Sequence, residues 1–207
     1  MNYLYSKVNW HNIEYVGFDM DGTLYDEFDF IMQAYSEISK LFSNNYAKEY
    51  MLNRWLEKGS SYNKIFDETY ELFYLDLIDK ISKELFIEEC LNMYRNFIPK
   101  IALSNRTKQI LAYFGSKYKL FLVSDGNLEL QTRKFRSLNL DKYFSENNVF
   151  FTGINSSIYS KPKIKLLEKL DILAQISVFF GDRKIDEEFA KNSGMQFQKV
   201  YNMIGVD

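Results

Sequence analysis

EYVGFDMDGTLYDE, Glu14 to Glu27, runs from an apolar stretch straight into a pair of aspartates. Tyr15-Val16-Gly17-Phe18 has the length and composition of a buried strand, and it stops abruptly at Asp19. Asp21 follows one residue later, then Gly22-Thr23, where glycine suits a tight turn. Two carboxylates at the end of one buried strand need a reason to be together.

Four more short apolar runs follow: residues 119–123 (KLFLV), 149–151 (VFF), 177–180 (SVFF) and the weaker 198–201 (QKVY). Between the later runs, apolar residues recur at helical spacing in 106–114, 128–138, 163–170 and 186–192. Strands alternating with helices predict an α/β fold: a Rossmann-like parallel sheet with helices on both faces. Residues 28–99 differ. Four amphipathic stretches occur there without a convincing strand, punctuated by Ser43-Asn44-Asn45 and Gly59-Ser60-Ser61. The pattern predicts a discontinuous α/β core, 1–27 with 100–207, interrupted after its first strand by a small all-helical domain, 28–99. Pro99 marks the return.

Three predicted strands end in polar residues: the first at Asp19, the second at Ser124-Asp125-Gly126, and SVFF at Gly181-Asp182. Ligands of open parallel sheets bind outside the carboxyl ends of the strands. If these strands are neighbours, Asp19, Asp21, Ser124 and Asp182 share one crevice. Converging carboxylates repel unless a cation joins them, and oxygen ligands on a tight turn suit a hard ion, Mg²⁺ first. Such an ion would attract phosphate oxygens, so one carboxylate could attack phosphorus while the other handles a proton.

These residues resemble the motifs of the haloacid dehalogenase superfamily, in its phosphatase branch with an inserted helical cap (subclass I). Asp19-Met20-Asp21-Gly22-Thr23 is similar to the first motif, and Ser124 in LVSDG to the second. Lys161-Pro162 is similar to the third, and Asp182 with Asp186 in FFGDRKIDEEF to the fourth. The resemblance implies Asp19 as the nucleophile that forms an aspartyl-phosphate, and Asp21 as general acid and then base. It implies Lys161 as the cation between nucleophile and phosphate. Ser124, Asp125, Gly126 and Lys161 would bind the substrate phosphate. Mg²⁺ would be held by Asp19, Asp182 and the Asp21 main-chain carbonyl, with Thr23 and Asp186 supporting. Asp125 stands where many relatives carry asparagine. The dehalogenating members lack the second aspartate, since a halide needs no proton, so Asp21 favours a phosphoric monoester hydrolase. A phosphomutase of the same architecture, or a non-catalytic binding protein that keeps the fold, are the alternatives. The expected partner is a small phosphorylated metabolite.

Bulk properties set limits. The chain has 207 residues, with 26 Lys+Arg against 28 Asp+Glu, so there is no basic field to hold a nucleic-acid polymer. No run approaches the roughly 18 apolar residues of a membrane span. Cys90 is the only cysteine, which excludes an internal disulfide and fits a reducing compartment; a cytoplasmic protein is expected. Cys90 reads as an inert thiol and His11, the only histidine, as a surface residue. Tyr25, Phe28 and Trp55 are candidates for the substrate side.

Overall fold

The computed structural model describes residues 5–43 and 45–205. Contacts divide the chain into two units: one runs up to Glu27 and resumes at Lys100, and the other is Phe28–Pro99.

The first unit is built on β1 (Tyr15–Phe18), β2 (Lys119–Ser124), β3 (Val149–Phe151), β4 (Ser177–Gly181), β5 (Gln196–Tyr201) and the two-residue β6 (Ile204–Gly205). Their order is β3-β2-β1-β4-β5-β6; all neighbours pair in parallel except β5 and β6. β1 lies inside the sheet, with a parallel neighbour on each side. Every residue is buried, and it pairs Phe18 with Leu122 on one side and with Phe180 on the other. The strand order reverses at β1, which makes the carboxyl ends of β1, β2 and β4 the switch point where open sheets bind ligands.

The two faces of the sheet follow from strand alternation. On one face Phe18 and Phe180 pack with Phe114 of α5 (Asn105–Gly115), and Tyr5 and Trp10 close over them. On the other, Tyr15, Phe121 and Phe179 form a cluster with Phe189 of α8 (Lys184–Ser193), Leu166 and Leu170. Gly17 is glycine for a packing reason: a Cβ there would lie 2.1 Å from the Phe121 ring. The expected helix over 163–170 is a correction. Only a 3-10 turn, Lys165–Lys169, forms, following the four-residue α7 (Ser156–Tyr159) and Pro162. Leu166 and Leu170 still reach the core, so the apolar spacing was real but too short-ranged to require an α-helix.

The Phe28–Pro99 unit is helical. α1 (Glu27–Ile38), whose first residue lies in the other unit, is followed by α2 (Tyr46–Lys58), α3 (Ile65–Phe73) and α4 (Lys83–Asn96). Ser82 caps α4 by accepting from the Leu85 amide, one of the orphan donors of a helix start. Its interior holds Phe30, Ile38, Met51, Phe86 and the fully buried Cys90, whose thiol burial pushes further from ionisation. Arg54 on α2 grips Glu68 on α3 at 2.7 Å and 2.8 Å in a bidentate pair. No helix among the described residues is long and apolar enough to cross a membrane.

Candidate active site

Asp19 leaves β1 fully buried, its amide donating to the Phe180 carbonyl at 2.9 Å, so the strand pairing itself fixes where the carboxylate starts. Asp19 Oδ1 accepts from Lys161 Nζ at 2.6 Å. Asp19 Oδ2 is buried with no protein partner. Lys161 Nζ also donates to Asp186 Oδ1 at 2.5 Å, so one fully enclosed ammonium bridges two carboxylates. Asp186 stands in the first turn of α8, and its Oδ2 accepts from the Arg183 amide at 3.1 Å, an arrangement that also caps the helix.

Asp182 follows β4. Gly22, at φ +75°, lies so close that a Cβ would be 2.5 Å from Asp182 Oδ2. Thr23 Oγ1 donates to Asp182 Oδ1 at a long 3.4 Å. Carboxylate oxygens of Asp19, Asp182 and Asp186 all lie within 4.8 Å of one another. Burial drives the Asp19 carboxyl well above its usual range, with Lys161 opposing and Asp186 adding to the rise. Burial likewise pushes Asp182 up to about 6, against the pull of Arg183. Three carboxylates gathered this closely, two of them fully buried and one of these with an unpartnered oxygen, are a donor set suited to a hard divalent cation.

The Asp186 carboxylate, expected in a supporting role, lies in this cluster and pairs with Lys161. The Asp21 carboxylate is held elsewhere, which leaves its main-chain carbonyl as the expected ligand. Asp21 Oδ1 accepts from Lys134 Nζ at 2.7 Å and from the Tyr25 hydroxyl, and Asp21 Oδ2 from Gln131 Nε2 at 2.9 Å. Burial alone would raise this carboxyl, but the Lys134 charge and the three hydrogen bonds hold it below its ordinary value.

Ser124 ends β2, 1% exposed, with its Oγ unpartnered. The Asp125 side chain is engaged with the protein: Oδ1 accepts from Thr152 Oγ1 at 2.7 Å and from the Lys161 amide at 3.2 Å. It braces the lysine loop instead of crowding an anion. Gly126 has φ +129°, and a Cβ there would meet Gln131 Nε2 at 2.5 Å. The loop Gly22-Thr23 is held from behind by the chain's tail: the Asn202 and Met203 amides, both residues at positive φ, donate to the Gly22 and Thr23 carbonyls at 2.9 Å.

Sequence reading missed Gln131, Lys134 and Thr152. A signal existed for Lys134: it sits with Leu130 and Leu138 on the inner stripe that α6 (Leu128–Ser137) turns to the core, where a lone surface lysine would not stand. Of the aromatic candidates, Tyr25 touches Asp21, while Phe28 and Trp55 pack on each other, centroids 5.8 Å apart. His11 is exposed in the 3-10 turn Trp10–Asn12.

The family model for haloacid dehalogenase-like hydrolases matches residues 16–200, nearly the whole chain. The chain belongs to that family. Among curated proteins, none matches it in sequence. Solved structures resemble this family member throughout. A subfamily IA superfamily hydrolase from Geobacter sulfurreducens shares 20% identity at a TM-score of 0.64, over 90% of this chain and 86% of its own. A candidate beta-phosphoglucomutase from Thermotoga maritima shares 25% at 0.68, over 89% and 84%. A candidate hydrolase of the superfamily from Bacillus subtilis, bound to magnesium, shares 14% at 0.65, over 89% and 85%.

Proposed function

We propose that this haloacid dehalogenase-like hydrolase is a Mg²⁺-dependent phosphatase of small phosphate monoesters. The observation that carries the reading is the pair of enclosed, unpartnered oxygens, Asp19 Oδ2 and Ser124 Oγ, at the carboxyl ends of adjacent strands. Buried polar atoms in native proteins are nearly always satisfied, so these two are read as waiting for ligand atoms.

Asp19, Asp182 and the Asp21 carbonyl are the residues that would hold the ion, with Asp186 beside them. When bound, Mg²⁺ neutralises the carboxylates and draws charge from the phosphoryl oxygens. The chain's own groups do the rest. Asp19 attacks phosphorus and the P–O bond to the leaving group breaks; Asp21, which Lys134 and its hydrogen bonds hold toward the ionised form in the free protein, takes up a proton when the substrate binds and gives it to the departing alkoxide. Ser124 donates to a phosphoryl oxygen, and Lys161 offsets the charge that gathers between Asp19 and the phosphate. Asp21, now a carboxylate, takes a proton from a water that attacks the aspartyl-phosphate; phosphate departs and both aspartates are restored. The helical unit Phe28–Pro99 is assigned to substrate choice, in keeping with the caps of this family.

Asp19→Asn is expected to abolish phosphate release from a panel of small phosphate esters with Mg²⁺ present while circular dichroism stays unchanged. Retained turnover would remove the nucleophile and the reading with it. The likeness to a candidate phosphoglucomutase keeps a mutase as the second reading. Formation of an isomeric sugar phosphate in place of inorganic phosphate would favour it.

A further inference from the structure

The Asp21 carboxylate is enclosed by Lys134, Gln131 and Tyr25, which between them donate to both of its oxygens. Lys134 is 2% exposed and Gln131 3%, so neither is a surface side chain that happens to lie near. Burying a lysine is expensive unless the charge is matched, and the match here is a residue of the reaction centre rather than a structural acid. Gln131 adds a link. Its Nε2 donates to the Asp125 carbonyl at 2.8 Å as well as to Asp21. Two acceptors on one nitrogen fix the amide orientation, and the missing side chain of Gly126 leaves the space it occupies. α6 begins immediately after this loop, with Asn127 capping the Leu130 amide at 3.1 Å. One helix therefore carries the loop that would bind the phosphate and the two side chains that aim the second aspartate.

We propose that Lys134, with Gln131, is a positioning residue that sets the direction of the Asp21 carboxyl toward the leaving-group oxygen. The inference rests on the phosphatase reading above. Lys134 touches no substrate in this scheme. Aim matters in proportion to how much proton the leaving group needs, so the device has a signature: it serves poor leaving groups and is nearly idle for good ones. A residue that merely supports the fold would affect both alike.

The test uses the full chain with Mg²⁺ and a series of aryl phosphates from 2,4-dinitrophenyl to phenyl, plus an alkyl phosphate. The readout is kcat/KM, which reports the first, phosphorus-transfer step. Lys134→Met should lower kcat/KM for phenyl and alkyl phosphate by about 10²-fold, within the usual range for general acid catalysis, and by less than about 3-fold for the dinitrophenyl ester. The dependence on leaving-group acidity becomes steeper, and Lys134→Arg, which keeps a cation, restores most of the slope. Gln131→Leu leaves no buried charge unpaired and should steepen the slope to a lesser degree, which keeps the question open to experiment if Lys134→Met does not fold. Equal losses across the series, or none, in soluble variants would overturn the positioning role while the phosphatase reading stands. A wild-type chain that releases no phosphate from any ester would overturn both.

Discussion

Replacing Lys161 by methionine strips the cation from between two carboxylates in a fully enclosed site. Lys161 Nζ lies 2.6 Å from Asp19 Oδ1 and 2.5 Å from Asp186 Oδ1, with no side-chain exposure. At an effective dielectric near 20, each contact is worth about 6 kcal/mol of Coulomb attraction, most of it offset by the desolvation of three ions. Removing the ammonium abolishes the attraction and leaves the desolvated carboxylates, a net loss of about 3–5 kcal/mol. Part of the loss depends on pH. Burial already raises Asp19, and Lys161 is the main influence opposing it, so the variant's Asp19 carboxyl rises further. A folded-state pKa above the unfolded one makes the folded chain take up a proton first, so stability falls as pH rises through that interval. The deficit is therefore largest near pH 8 and shrinks toward pH 5. Urea unfolding in a Trp55→Phe background follows this in the right unit, since the remaining Trp10 stacks on Phe114, centroids 5.4 Å apart. Adding Asp186→Asn should recover about half the loss. A deficit under about 1 kcal/mol at pH 8, or the same deficit at pH 5, would show that the triad of charges is not what holds this corner together.

Two other expectations concern ligands. Ser124→Ala should leave stability within about 1 kcal/mol, because the hydroxyl makes no protein hydrogen bond, while kcat/KM falls about 10–100-fold for lack of an oxyanion donor; unchanged turnover removes Ser124 from the phosphate site. For Asp182, pushed up to about 6 by burial, a cation must displace a proton below that pH. Calorimetric titration with MgCl₂ should show affinity falling about tenfold per pH unit below 6 and levelling above 7. In the metal-free protein the same group adds stability as pH drops from 6 toward 4. A flat affinity profile would mean that this carboxyl does not meet the ion.

The core sheet was readable because its strands are enclosed on both faces, so KLFLV and SVFF had to be near-continuous apolar runs whatever surrounded them. The outer strand β5 was harder, since Gln196, Gln198 and Lys199 interrupt its apolar pattern and only part of it is enclosed. The run Ile164–Leu170 carries helical spacing for barely two turns, which a 3-10 turn satisfies equally well. That Asp19, Ser124 and Asp182 would come together was legible because each stands at the end of an apolar strand, and the three strands are parallel neighbours. The environment of Asp21 was not, because two of its three partners come from 110 and 113 residues away and a lysine on an amphipathic helix reads as a solvated charge until the helix is oriented. Asp125 could be identified but not aimed; only the positions of Thr152 and the Lys161 amide show that it turns from the anion toward the loop.

The two amides of Asn202 and Met203 that hold the Gly22-Thr23 carbonyls lie beyond residue 200, where the family's shared pattern stops. A shortened version cut at that limit would keep every residue named by the motifs and lose the rear buttress of the aspartate turn. Tyr5 belongs to the same buttress, its hydroxyl donating to the Met203 carbonyl at 2.8 Å. Trimming for crystallisation or fusing a partner there would thus act on chemistry some 180 residues upstream in sequence, through main-chain atoms that no motif records.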